Sequence, residues 1–435
     1  MKTIDIFVSK KFGNYAPFIQ PDLEGFELNF IEESDINQDS KFIYYCAAGS
    51  NLAHYIGLKD DIYKKDGFLE NVSDIILNPI RNGKSYICVS YMQEGHVEQK
   101  SYQDLHNYLK RYNIPANNVI FVASNLNGKE QYDDFCKKFV TLTKNNRLHI
   151  LEVNHMLESM ANVVYHYYTD NYNLPRETKD KSKLTSGINL IDDIKDLKIR
   201  EKYFLCYNRN MRYYRIGLLS RLKNLGLFDK GLISIGPYET EGYQEDYNLH
   251  LGWEAENNWW IEDIELKKEI EDGQKELKKL QPLAIEGEEV WQTNGMWPGF
   301  DFKETYQKVY FDVVTESCYA TDSIYCSEKV YKPISQLLPF IILGPPHILR
   351  KLKEQGFKTF EPFIDETYDD EMNHEKRFIK VVNEINRLCA KPLEELHEWY
   401  HNILDILEYN QKHLLDYKNE DHKNCYDFLY KVINE

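Results

Sequence analysis

Residues Val309 to Asp370 read VYFDVVTESCYATDSIYCSEKVYKPISQLLPFIILGPPHILRKLKEQGFKTFEPFIDETYDD. Two short apolar runs, VYFDVV and PFIILG, are separated by a polar turn and by Ser327-Glu328-Lys329. Gly344-Pro345-Pro346 follows the second run and leads into a basic amphipathic segment. Strand, charged turn, helix, strand, glycine turn, helix is the sequence pattern of an α/β nucleotide site.

Working outward, the chain has 435 residues, which is long for one core and suits two α/β domains. Hydrophobic residues make up 42% and charged ones 28%, the balance of a folded globular protein. A net charge of −17 counts against a nucleic-acid partner, because such binding is driven by cations meeting phosphates. A local basic patch for a phosphate stays compatible with it. The eight cysteines are scattered without a CxxC pair, so reduced buried thiols in a cytoplasmic protein are expected. There is no signal-like segment and no apolar span of membrane length, which leaves only peripheral membrane contact open.

Toward the N-terminus, strands are expected at 4–8, 27–32, 41–49, 85–97, 118–125 and 147–154. Helices are expected at 101–113, with Ser101 as N-cap, and at 133–145. Residues 202–236 give strand, Asn-Arg loop, helix, a stop at Gly226 and a second strand. Residues 239–300 differ: IELKKEIEDGQKELKKL (264–280) has Glu and Lys at helical spacing, read as a solvated helix on an insertion. Trp253, Trp259, Trp260, Trp291 and Trp297 surround it. Helices close the chain at 376–388 and 393–417.

Candidate chemistry gathers at strand ends. Asn208, Arg209, Asn210, Arg212 and Arg215 follow an apolar strand and precede a helix, where guanidinium groups and free amides hold anions. Glu316 ends VYFDVV and faces the edge where α/β sheets take ligands. Ser327 has the form of an N-cap, and Lys329 in the first turn opposes the helix dipole unless an anion compensates it. An ordinary capped helix with an exposed lysine would look the same. Glu94-Gly95-His96 ends a first-half strand, where a carboxylate is placed to act as general base. Asp369-Asp370-Glu371 is a weak match to a metal-binding acidic motif. No P-loop, GxGxxG after a strand, GxSxG or HExxH occurs.

In order along the chain, Val314-Thr315-Glu316, Ser327-Glu328-Lys329 and Pro339 to Gly344 resemble the donor-binding core of family 10 glycosyltransferases, the α-1,3-fucosyltransferase group. Lys332-Pro333-Ile334, Gly356 to Phe360 and Ile364 to Asp369 are similar to a divergent branch of phages, large viruses and bacterial polysaccharide loci. Its members also carry an Asn-Arg strand-loop-helix like Leu205 to Arg215. The resemblance covers about 200–370 well, and the N-terminal half only in layout.

The resemblance implies a GT-B architecture, with two Rossmann-like α/β domains facing a central cleft and a helical C-terminal tail. The domains would be an acceptor-side domain at 1–195, a donor domain at 196–390 with a charged helical insertion at about 239–300, and a tail at 391–435. It implies an inverting, metal-independent transfer from a nucleotide-diphosphate sugar to a glycan or glycolipid hydroxyl, with no cofactor besides that donor. Lys329 would meet the diphosphate and Glu328 the ribose or sugar. Arg209, Arg212 or Arg215 would add charge, with Asn208, Glu316 and Ser327 in the same donor site and Glu94 as base. Trp259, Trp260 and Tyr243 are candidates for stacking on acceptor sugars. The segment 239–300 has no obvious counterpart in the fucosyltransferases, so fucose does not follow as the donor sugar. Two other readings compete: a transferase modifying hydroxymethyl-pyrimidines in DNA, and a non-catalytic protein of the same fold.

Overall fold

The computed structural model describes residues 1–9, 23–48, 67–91, 97, 99–154, 156–157, 160–161, 198–208, 211–236, 260–280, 283–285, 303–417 and 420–434. The chain divides into two compact units. The first comprises Met1–Glu158, Asp322–Tyr325 and Lys418–Glu435, and the second Ser159–Thr321 and Cys326–Tyr417.

In the first unit, β1 (Lys2–Val8), β2 (Phe26–Phe30), β3 (Ile43–Ala48), β4 (Tyr86–Tyr91), β5 (Val119–Ala123) and β6 (His149–Glu152) form one sheet in the order β2-β1-β3-β4-β5-β6. Every pairing is parallel. Continuous apolar runs such as VIFVA are what a parallel strand needs, since both of its faces are covered. On one face Tyr44, Ile87 and Phe121 pack with Tyr102, Leu105 and Phe135 from α2 (Gln99–Arg111) and α3 (Gly128–Lys138). On the other, Ile4, Tyr45, Cys88 and Ile120 pack with Tyr426, Leu429 and Ile433 of the last helix, Asp421–Asn434. The segment Asp322–Tyr325 is held here too: Ile324 N–H donates to Asn127 Oδ1 at 2.9 Å, and Asn127 Nδ2 donates to the Asp322 carbonyl at 2.7 Å.

In the second unit, β7 (Phe204–Cys206), β8 (Gly231–Ile233), β9 (Phe311–Thr315) and β10 (Phe340–Leu343) form a parallel sheet in the order β10-β9-β7-β8. The strand order reverses between β7 and β9. That makes the crevice beyond their carboxyl ends the expected ligand position.

Several elements depart from the sequence reading. Helix α1 (Asp74–Arg81) was not expected; Pro79 sits inside it, where a proline normally breaks a helix. Helix α2 begins at Gln99, so Ser101 is a helical residue and not the cap. Helix α5 (Ile264–Leu280) follows α4 (Tyr213–Asn224) and is not solvated all round: Leu266, Ile270 and Leu277 are buried. Gly273 permits the approach of α4, since a Cβ there would lie 2.0 Å from Ser220 Oγ. The expected tail is divided. Residues Leu393–His401 and Leu404–Asp416 belong to the second unit, whereas Asp421–Asn434 covers the first unit's sheet with its apolar face. The boundary expected at 195/196 lies outside the described residues. Trp260 is a packing residue, buried against Tyr319 and Phe378. Trp253, Trp259, Trp291, Trp297 and Tyr243 lie outside the described residues.

Among the described residues, no helix is long and apolar enough to cross a membrane. The eight cysteines are thiols not joined in disulfides, and all but Cys318 are buried.

Candidate donor site at the strand-order reversal

Two strand ends and one helix start build the site. Strand β7 runs out through Tyr207 into Asn208, which is fully buried. Asn208 N–H donates to Ser234 Oγ at 3.1 Å, and Asn208 Oδ1 accepts the Thr315 hydroxyl at 3.0 Å. The side chain thus ties the end of β7 to the end of β9 across the reversal point. It serves as a bracket between strands, and its amide is already engaged.

Glu316 follows β9 directly and is fully buried. Its Oε1 accepts the Ser327 N–H and its Oε2 accepts the Ser317 N–H, both at 2.9 Å. Burial raises its carboxyl above the ordinary value, opposed by the Lys329 charge and these hydrogen bonds. With both oxygens committed inside the protein, Glu316 fixes the helix start instead of presenting a carboxylate to a sugar. Gly344, at the end of β10, lies against it: a Cβ there would come within 3.4 Å of Glu316 Cβ.

Helix α6 (Glu328–Ser335) starts as the sequence predicts, with Ser327 as N-cap accepting the Lys329 N–H at 3.3 Å. Lys329 Nζ lies 2.9 Å from Glu328 Oε1, 3.3 Å from Ser327 Oγ and 3.4 Å from Ser317 Oγ. The Glu328 carboxylate therefore supplies part of the compensation that a first-turn lysine requires. Burial works against the Glu328 charge, yet Lys329 and Lys332 outweigh it and hold the carboxyl down to about 2. The two side chains keep 27% and 23% of their surface, so this charged pair is the part of the site that a ligand can reach.

The arginines turn inward. Arg215 is buried, and its Nη2 donates to the carbonyls of Thr315 and Glu316, both at 2.9 Å. Arg212 Nη1 donates to the Ser317 carbonyl, and the Tyr214 hydroxyl to the Glu316 carbonyl. Sequence reading took both arginines as anion ligands. Here they grip the backbone at the end of β9. Arg209, Asn210, Glu94, Gly95 and His96 lie outside the described residues.

Two contributors were not singled out beforehand. Ser317 offers a hydroxyl 3.4 Å from Lys329 Nζ. Arg377 is buried and donates to the carbonyls of Gly344, Glu371 and Tyr319 at 3.1, 2.9 and 3.0 Å, which secures the exit from β10. Its place in the buried stripe of helix α8 (His374–Cys389), next to Phe378, Val381 and Val382, was the available signal.

His347, Asp369 and Asp370 bring ligand atoms within 4.8 Å of one another. The Asp369 carboxylate is engaged in accepting the N–H groups of Leu349 and Arg350, at 2.9 and 3.1 Å, and Asp370 is exposed. This arrangement caps the short helix α7 (Ile348–Glu354).

No protein-family model matches the chain, and no curated protein matches it. Among solved structures, it is similar to an α,α-trehalose-phosphate synthase (UDP-forming) from Burkholderia vietnamiensis, at 10% identity over 99% of each chain with a TM-score of 0.41. It is similar also to an α,α-trehalose 6-phosphate synthase from Burkholderia multivorans, at 8% identity over 99% of this chain and 97% of that one, with a TM-score of 0.44. The chain's own fold is two α/β units with parallel sheets, and the chemistry of the site rests on its own residues.

Proposed function

We propose that this chain is a GT-B glycosyltransferase whose second unit binds a nucleotide-diphosphate sugar at the β7/β9 reversal. The observation that carries this reading is the partly exposed Lys329 ammonium at the start of α6, flanked by the Ser317 and Ser327 hydroxyls. An ammonium and a helix start, backed by the Arg212 and Arg215 charges, can stabilise a departing diphosphate without a metal. Glu328 would take ribose or sugar hydroxyls, with Arg209 completing the phosphate contacts. The acceptor would be a glycan or glycolipid hydroxyl, deprotonated by Glu94 in an inverting displacement. The order of motifs in 314–370 makes donors of the fucosyltransferase group the first to try. Cysteines not joined in disulfides fit a reducing, cytoplasmic setting.

Calorimetric titration with UDP, GDP, dTDP, CMP and their sugars tests the proposal. One diphosphate series should bind saturably, and Lys329→Ala should weaken it by about tenfold or more, as expected for a charge-assisted contact of roughly 1.5–3 kcal/mol. Absence of binding by every nucleotide, with the chain folded, would overturn it.

A further inference from the structure

Helix α9 (Leu393–His401) carries His397 and His401 one turn apart on the same face. Their Nε2 atoms lie 3.1 Å apart, with ring centroids at 4.5 Å and the planes turned by 73°. On the other side of its ring, His397 Nδ1 lies 3.2 Å from Tyr310 Oη, which accepts the Arg200 N–H at 2.9 Å. Both histidines are half-buried, so solvent reaches them while their rings are held by packing.

We propose that His397 and His401 chelate a late first-row divalent ion, Zn2+ in the first instance, through their two Nε2 atoms. Two nitrogens bound to zinc at about 2.0–2.1 Å stand roughly 2.9 Å apart at a right angle and about 3.3 Å apart at the tetrahedral angle. The observed 3.1 Å lies inside that bite. With both rings neutral and no metal bound, the pair shares one N–H···N hydrogen bond. On binding, the shared proton moves through solvent to the free nitrogen of its own ring, so uptake by the neutral pair releases no net proton.

The His397 ring is prepared for this. With its proton on Nδ1 it donates to Tyr310 Oη, whose second lone pair holds the Arg200 N–H. This outer contact orients a metal-bound imidazole and raises its basicity. The Arg200 guanidinium lies 3.9 Å over the Tyr400 ring, and Glu394 and Glu398 lie on the same helix as the two histidines. Imidazole donors favour Cu2+, Ni2+ and Zn2+ over Mg2+ or Ca2+, and water would complete the coordination.

The test is calorimetric titration of the full chain with ZnCl2, beside thermal melts with and without EDTA. One saturable equivalent and an EDTA-reversible rise in Tm are expected. His401→Gln should remove both effects. Tyr310→Phe keeps both imidazoles and should weaken uptake by about 10–100-fold, which a merely packing role for Tyr310 would not produce. No saturable uptake, or uptake unchanged in His401→Gln, overturns the proposal. Should that variant not fold, the ring NMR signals of His397 and His401 in the unaltered chain decide: if Zn2+ leaves them unmoved, the assignment fails.

Discussion

Glu316 and Ser327 stand eleven residues apart, and the Ser327 N–H donates to Glu316 Oε1 at 2.9 Å inside the protein. This bond joins the end of β9 to the start of α6, and it places Lys329 over the reversal point. Replacing Glu316 with Ala leaves the amides of Ser317 and Ser327 buried without acceptors, at roughly 1–3 kcal/mol each. Gln supplies one acceptor but turns an NH2 toward the other amide. Both variants should lower the urea midpoint, Ala more than Gln, and both should weaken nucleotide binding because Lys329 is no longer held. Unchanged stability in Glu316→Ala would show that the bracket is not needed.

Asp312 gives a pH dependence of unusual sign. It lies within β9, buried, and burial pushes its carboxyl from 3.8 up to about 8, with Lys332 opposing. A carboxyl raised in the folded state binds more protons there than when unfolded. Stability therefore falls as pH rises between about 4 and 8, by up to roughly 1.4 kcal/mol for each pH unit. Asp312→Asn cannot titrate. Urea midpoints measured from pH 4 to pH 8 should converge toward the variant's favour at the alkaline end. Parallel curves for the two proteins would contradict the assignment.

At the crossing of α4 and α5, Gly273→Ala separates propensity from packing. In a free helix interior the change gains about 1 kcal/mol. Here the new Cβ would lie 2.0 Å from Ser220 Oγ and 2.4 Å from Ser220 Cβ, so the helices must part or Ser220 must move. A net loss of roughly 1–3 kcal/mol is expected. Gly273→Ala combined with Ser220→Gly should recover much of it, and a denaturant series on the three variants measures this coupling.

The same contrast explains what could be read from the chain. Apolar runs such as VIFVA and FIIL carry a strand assignment alone, because parallel strands are buried on both faces. The Ser327 cap was legible because capping is local. The roles of Asn208, Arg212, Arg215 and Glu316 were not. A polar residue at a strand end is equally suited to a ligand or to a neighbouring strand's backbone, and only tertiary contacts decide between them. For the same reason α5 looked solvated: its buried stripe of Leu266, Ile270 and Leu277 is narrow, and Gly273, which admits α4, reads as a weak point in a charged helix.

Glu328 separates the phosphate from the sugar in the proposed site. Its carboxylate lies 2.9 Å from Lys329 Nζ and stays ionised down to about pH 2, so it opposes any anion that approaches the lysine at neutral pH. If Glu328 exists to receive hydroxyls, its negative charge is a cost to the diphosphate offset by the sugar. Glu328→Gln should then bind a nucleoside diphosphate several-fold more tightly and the matching nucleotide sugar less tightly than the unaltered chain. Calorimetry with both ligands at one ionic strength reads the two shifts, since exposed charges are screened by salt. A parallel gain for both ligands would remove Glu328 from sugar recognition and leave it as the counter-ion that holds Lys329 in place.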